Sequence, residues 1–510
     1  MLSLFADDTS ILLDGSDESL NETLSELSKF ARISGLNVNF DKTHVVWLGK
    51  KKYSPDSIKT RYKLKWGTQK FKLLGITFHV DLDKMITLNY TDKIKSLRST
   101  ITHWKRRYIS PIGKITIIKS LLLPMFIHLF VSLPNPETHM LKEINDILFN
   151  FLWNGPAKIK KSVVTNDYSG GGLRMINTLN FIQSLKCTWI RRIINTSGTW
   201  IHLTQDIFDI KKLVNCGKYY SDTVSKKTTN TFWKDVLNAY SNLITSTKIT
   251  NTSDVLMCPL FYNHNILIGN NSVFIKSWYD KGIRYINDLI QDGRFLTENE
   301  IFDLYKIRVN YLQYHGLKIA IKKYINSVHK DSFQTISKCK TPFIPYHFQV
   351  ILKSRSGSRM IYDKLNKNSD IPTSKIKWNA SFNFTDIQWK RFYSSPFTTT
   401  NDTNIQWFQS QILHRILPLN KYLKTIGLKD NDLCTFCKRD SETILHLFTE
   451  CEITKSFLDS VRNALQRQHL HISIDKETTI FGTDDIQTSL TTIYLKNYIY
   501  LGRNRNLNLN

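Results

Sequence analysis

Cys434-Thr435-Phe436-Cys437, eight intervening residues, His446, four more residues and Cys451 form the most informative stretch of the 510-residue chain. Thiolate and imidazole are preferred zinc ligands, and a Cys-x-x-Cys turn grips one ion from two positions. His446 and Cys451 complete a set of four. Four protein ligands close a tetrahedral shell, so the expected role of Zn²⁺ is structural, not catalytic. Three of the seven cysteines lie within these 18 residues. The others, Cys187, Cys216, Cys258 and Cys339, are scattered singly and read as buried thiols. The competing reading is chance clustering beside an ordinary exposed histidine.

Around this cluster the composition is that of a folded, basic protein. The net charge is +27 and 41% of residues are hydrophobic, so a sizeable core is expected and wholesale disorder is excluded. Such a charge favours polyanion partners, nucleic acid before an acidic membrane, although charge that merely keeps the chain soluble gives the same balance. Seven cysteines in this length are not a disulfide scaffold. Asp7 and Asp8 interrupt any signal-peptide core. The most apolar run, Ile115 to Leu133, contains Lys119, Pro124 and His128 and reads as a buried helix, not a membrane span. The expected compartment is intracellular, nuclear and/or cytoplasmic.

The fold class read from the chain is mixed but mainly α. Leu4-Phe5-Ala6 and Ile11-Leu12-Leu13 flank Asp7-Asp8-Thr9-Ser10 as a hairpin with acids at its turn. Leu20, Leu24, Leu27 and Phe30 recur at helical spacing until Gly35. Val38–Leu48, interrupted by Asp41-Lys42-Thr43, and Phe71–Val80 each read as a strand, the second centred on Leu73-Leu74-Gly75-Ile76. From about Leu88 the chain turns helical. Between Lys93 and Lys119 lie eight basic residues and no acid: Lys93, Lys95, Arg98, Lys105, Arg106, Arg107, Lys114 and Lys119. Trp104 and Tyr108 sit among them. Cations that release counterions beside rings that stack on bases suit a nucleic-acid surface; a solvated helix face fits as well. Ser169-Gly170-Gly171-Gly172 is not followed by Lys-Ser/Thr, so it is not a phosphate-binding P-loop. Asn180–Ile194 and Ser272–Val328 are further helical blocks. The Asn/Thr/Ser-rich stretch 196–256 predicts a mobile boundary.

Adjacent carboxylates at a tight turn, as in Phe5-Ala6-Asp7-Asp8, can hold Mg²⁺, and two-metal nucleotidyl transfer uses such acids; Asp-Asp is also ordinary turn chemistry.

Taken in order, Phe5-Ala6-Asp7-Asp8-Thr9, Gly35-Leu36 with Asn39 and Lys42-Thr43, and Leu74-Gly75 resemble the later palm motifs of reverse transcriptases from LINE-type (non-LTR) retrotransposons. Trp104-Lys105-Arg106-Arg107, Ser110-Pro111-Ile112-Gly113-Lys114 and Leu123-Pro124 resemble the thumb. Phe151-Leu152-Trp153 and Gly171-Gly172-Leu173 follow as in that family, and Trp278, Gly282, Ile283, Asp288 and Leu289 resemble a further block. Gln411 to Pro418 leads into the Cys/His cluster, which resembles the zinc-binding region of these enzymes.

The resemblance implies a palm remnant over 1–84, a helical basic thumb over 85–195 and a linker with a helical region over 196–385. It places a zinc-binding domain over 386–466 and a tail over 467–510. It implies Asp7 and Asp8 as an incomplete catalytic set, Asp7 binding Mg²⁺ only if the palm is completed. Lys42, Lys93, Lys95, Trp104, Lys105, Arg106, Arg107 and Lys114 would bind nucleic acid, with Lys438, Arg439, Arg415, Lys421 and Lys424 assisting near the zinc. Cys434, Cys437, His446 and Cys451 would hold Zn²⁺. RNA and DNA are the implied partners, as template–primer and target site. In the family a further catalytic Asp lies upstream of the box, and here the chain begins four residues before it. The expectation is therefore a fragment that binds nucleic acid without polymerising alone. The alternatives are a non-catalytic zinc-dependent binding module or a non-functional relic.

Overall fold

The computed structural model describes residues 2–5, 8–49, 64–66, 69–195, 200–245, 249, 252–328, 351, 357–366, 370–469 and 472–505. It is mainly helical with small two-stranded sheets. The chain divides into two compact units, Met1–Ser96 and Leu97–Asn510.

In the first unit, Leu2–Phe5 and Asp8–Ile11 pair antiparallel, with Phe5 opposite Asp8. Helix Asp17–Ser34 starts where the Ser16 side chain accepts the Ser19 N–H and stops at left-handed Gly35. Its apolar stripe is poorly covered: Leu20 is buried, but Phe30 and Ile33 are exposed. The expected strand Val38–Leu48 is broken by a turn over 40–42, close to its expected interruption, and only His44–Val45 is extended, paired in parallel with Lys65–Trp66. The expected strand Phe71–Val80 is instead a hairpin, Lys70–Leu73 against Ile76–His79. Leu74 (φ 47°) and Gly75 (φ 80°) form its turn, so the Leu-Gly pair reverses the chain where a continuous strand was expected. Asn89 then secures one strand: its Oδ1 accepts the Thr77 N–H at 2.9 Å and its Nδ2 donates to the Thr77 carbonyl at 2.7 Å.

In the second unit the apolar run 115–133 is buried, as expected. Pro124 bends it into Pro111–Leu122 and Pro124–Ser132 at 47°, with Ile118, Leu122, Phe126 and Phe130 inside the protein. Among the described residues no single helix is long and apolar enough to cross a membrane. The polar stretch 196–256 differs from its reading. Helix Thr231–Thr245 packs on both Thr178–Asn195 and Ile210–Lys227, and Leu213, Cys216, Val236, Leu237 and Tyr240 are core residues. The spacing of Val236, Leu237, Tyr240 and Leu243 is helical, and the abundant Asn, Thr and Ser mask it in composition. Trp278, Ile283 and Leu289 belong to the same core.

A separate core joins helices Thr373–Asn379, Asp386–Thr399, Thr403–Leu413, Lys476–Phe481 and Ile486–Asn504 around Trp378, Trp389, Phe392, Ile412 and Phe481. The stretch 467–510, read as a tail, thus supplies two packed helices to it. Ser169 to Leu173 docks against this core. The Tyr168 ring stacks on Phe397 with centroids 3.6 Å apart, and the His414 ring hydrogen-bonds the Gly171 backbone. Helix Pro111–Ile117 also touches Thr403–Leu413, and Trp153 meets Trp407 at 5.9 Å.

Candidate metal centre

The Cys434–Cys437 turn is closed by local backbone pairing. The Cys434 N–H donates to the Asp440 carbonyl, the Glu442 N–H to Asp432, and the Lys438 N–H to Cys434. Leu433 and Ser441 bridge antiparallel across it. The other two ligands come from one widened helical turn. In an α-helix residues five apart stand about 140° apart around the axis. Here His446–Glu450 is wound as a π-helix, with the Cys451 N–H donating to the His446 carbonyl at 2.8 Å. That rewinding carries His446 and Cys451 toward one side, and such turns recur at functional sites. The His446 N–H is capped by Thr443 Oγ1 at 2.9 Å.

The four ligand atoms lie within 4.8 Å of one another. Zn–S near 2.3 Å and Zn–N near 2.0 Å in a tetrahedron require S···S of about 3.8 Å and S···N of about 3.6 Å. Cys434 Sγ and Cys451 Sγ are 3.9 Å apart, and Cys437 Sγ is 3.3 Å from His446 Nε2. The donor set and its edges therefore fit one zinc ion. His446 Nδ1 faces the Asp440 carboxylate at 3.8 Å, the side from which a metal-bound imidazole is normally oriented. Backbone N–H groups of Phe436 and Cys437 point at Cys434 Sγ, and those of Ile453 and Thr454 at Cys451 Sγ. Such donors favour thiolate. Cys434 hydrogen-bonds Cys451 and holds the latter's thiol down, while its own is pushed up by the same shared proton and by burial.

A buried polar cluster supports this loop. Glu442 is fully buried; its Oε2 accepts the Thr435 N–H at 2.8 Å and its Oε1 the Asn420 N–H at 2.9 Å. Arg503, from the last helix, donates to Oε1 at 2.6 Å. Burial alone would raise the Glu442 carboxyl, but the Arg503, Thr435 and Asn420 donors outweigh it and hold it below its usual range. Nothing in the spacing of Asn420, Glu442 and Arg503 along the chain signals that they meet.

The remaining candidates disperse. Asp7 lies outside the described residues, and of Asp8 only the backbone is placed, in the first hairpin. Lys42, Lys93 and Lys95 belong to the first unit; Lys42 is exposed at the end of the Phe40–Lys42 turn, Lys93 half-buried and Lys95 exposed. In the second unit Arg107 lies over the Trp104 ring at 4.5 Å, and Lys105, Arg106 and Tyr108 are exposed. Lys114 donates to the Leu152 carbonyl at 3.4 Å, and its ammonium is lowered by burial, then by the positive charges of Lys105 and Lys158. Lys105, Lys114 and Lys158 thus share one field, and none of them makes an ion pair with an acid among the described residues. Lys158 was missed, although the run Lys158-Ile159-Lys160-Lys161 signals it. Arg98 is neutralised by Glu143 at 2.8 Å. Near the metal site Arg439 pairs with Glu452 and Lys424 with Asp432, Arg415 is tied to the Lys377 carbonyl, and Lys421 and Lys438 are exposed.

Residues 364–457 match the family model described as zinc-binding in reverse transcriptase. The match spans all four ligands together with Asn420 and Glu442, and it marks this part of the chain as reverse-transcriptase-related.

Proposed function

We propose that the chain is a nucleic-acid-binding part of a LINE-type reverse transcriptase, in which a structural zinc ion braces a basic surface that follows the phosphate backbone. One observation carries the reading: the positive charges of Lys105 and Lys158 both act on Lys114, whose helix Pro111–Ile117 packs against Thr403–Leu413 of the zinc-binding core. Like charges held together with no ion-paired acid among the described residues favour a polyanion partner. Arg107 over Trp104 adds a cation and a ring beside them. The zinc ion's part is to fix the Cys/His loop. The chain's own groups do the binding, ammonium and guanidinium to phosphate and ring to base. The palm part of the reading rests on Asp7 and Asp8 and is tested separately by primer extension.

The test is titration of labelled single-stranded RNA and duplex DNA, followed by anisotropy between about 50 and 200 mM salt. Log affinity is expected to fall linearly with log salt. Replacing Lys105, Lys114 and Lys158 by Ala should flatten the duplex slope by about 0.9 per phosphate contact removed. Salt-independent binding, or an unchanged slope in the triple variant, would refute the assignment of this surface.

A further inference from the structure

Arg503 lies beyond the matched residues 364–457, on the helix Ile486–Asn504, yet it reaches the metal loop by two buried routes. Through Glu442 it meets the Thr435 N–H, inside the Cys434–Cys437 turn. Through Asn420, whose Oδ1 accepts from Arg503 at 2.6 Å and whose Nδ2 donates to the Leu433 carbonyl at 2.7 Å, it meets the residue before Cys434. Glu442 is fully buried and the Arg503 side chain nearly so. Removing one partner of such a pair strands a charge away from water. The same helix is held a second time by Lys496, also fully buried, which donates to Gln409 Oε1 at 2.7 Å and to the Ile480 carbonyl at 3.1 Å. Lys496 and Arg503 are seven residues apart, so both project from one face of the helix into the core.

We propose that Arg503 is a positioning residue for the metal centre, and that zinc binding and docking of the Ile486–Asn504 helix stabilise each other through Glu442 and Asn420. The proposal rests on the zinc reading and adds to it a partner from outside the zinc-binding stretch. The helix holds the turn that presents Cys434 and Cys437 in its binding conformation. The ion, by ordering that turn, completes the acceptor set around Arg503. Coupling of this kind is reciprocal: whatever factor the docked helix adds to zinc affinity, zinc adds to docking. Groups beside metal ligands typically change affinity 10- to 100-fold when removed.

The full chain is used, with Zn²⁺ competed by a chelator and Co²⁺ as the spectroscopic probe. Arg503→Met is expected to weaken Zn²⁺ about tenfold or more and to alter the Co²⁺ thiolate bands, while Arg503→Lys, which keeps one donor to Glu442, should recover part of the affinity. A folded Arg503→Met chain with zinc affinity within twofold of the parent would overturn the proposal. Should that variant fail to fold, the unmodified chain decides by hydrogen exchange with and without Zn²⁺. Removing zinc should speed exchange across Ile486–Asn504 and leave Thr231–Thr245 unchanged; unchanged exchange across Ile486–Asn504 would overturn the coupling. A parent chain that takes up no stoichiometric zinc would remove the metal reading itself, an outcome distinct from a zinc-loaded chain without coupling.

Discussion

Gly172 is the position where a single methyl group should do the most damage for its size. A Cβ built there would lie 2.0 Å from the Asn166 carbonyl oxygen, 2.4 Å from its carbon and 2.7 Å from its Cα. Ordinary contact begins at about 3.5 Å, and all three neighbours are backbone that cannot swing aside. The loop would have to open by more than an ångström. Among the hydrogen bonds that hold it shut, two at 3.0 Å flank the clash, Arg174 N–H to Asn166 and Leu173 N–H to Val164. Losing them costs about 1 kcal/mol each, and overpacking adds about 1–3 kcal/mol. Gly172→Ala should therefore destabilise this part of the chain by about 3–5 kcal/mol. Gly427→Ala is the control: that glycine is left-handed (φ 74°) with open space around it, and a side chain there costs only the conformational strain, about 1–2 kcal/mol. Hydrogen exchange through helices Asp386–Thr399 and Thr403–Leu413 measures both. If Gly172→Ala costs no more than Gly427→Ala, the steric account is wrong and the Gly run serves another purpose.

Other outcomes follow from the same structure. Cys434→Ser or His446→Ala should abolish stoichiometric zinc uptake and lower the melting temperature of the chain, since metal-binding energy is folding energy at such sites; chelation that leaves the parent's unfolding unchanged would count against a site. His414, packed beside Tyr393 and the Gly171 backbone, is held down at about 4 by desolvation, partly offset by its bond to Gly171. An unfolded His titrates near 6.5, so the unfolded chain binds more protons between about 6.5 and 4 and stability falls as pH drops through that window. His414→Gln should lose less stability than the parent over the same range, read by urea unfolding; parallel losses would exclude His414 as the cause. A template–primer extension assay with Mg²⁺ or Mn²⁺ on these 510 residues should give no Asp7-dependent product, because two-metal transfer clamps both reacting oxygens and one adjacent acid pair supplies too few ligands.

What sequence alone could determine here was local and chemical. The identity of the four candidate ligands is written in side-chain type and spacing, and the helix Asp17–Ser34 in an apolar repeat and a terminal glycine. The buried run through Pro124 is legible because charge and proline forbid a span. Leu74-Gly75 misled because a short apolar run suits a strand and a turn alike until its partner strand is known. Composition misled over the described residues 210–245, where polar residues outnumber an apolar period that nevertheless feeds the core. Tertiary structure alone decided the π-wound turn that brings His446 beside Cys451, and the pairing of Glu442 with an arginine 61 residues away. It also decided that Lys158 joins Lys105 and Lys114. The reason is physical: periodicity records which face of an element is buried, whereas a buried charge pair records only that two distant elements meet, and nothing in the spacing of either one names the other.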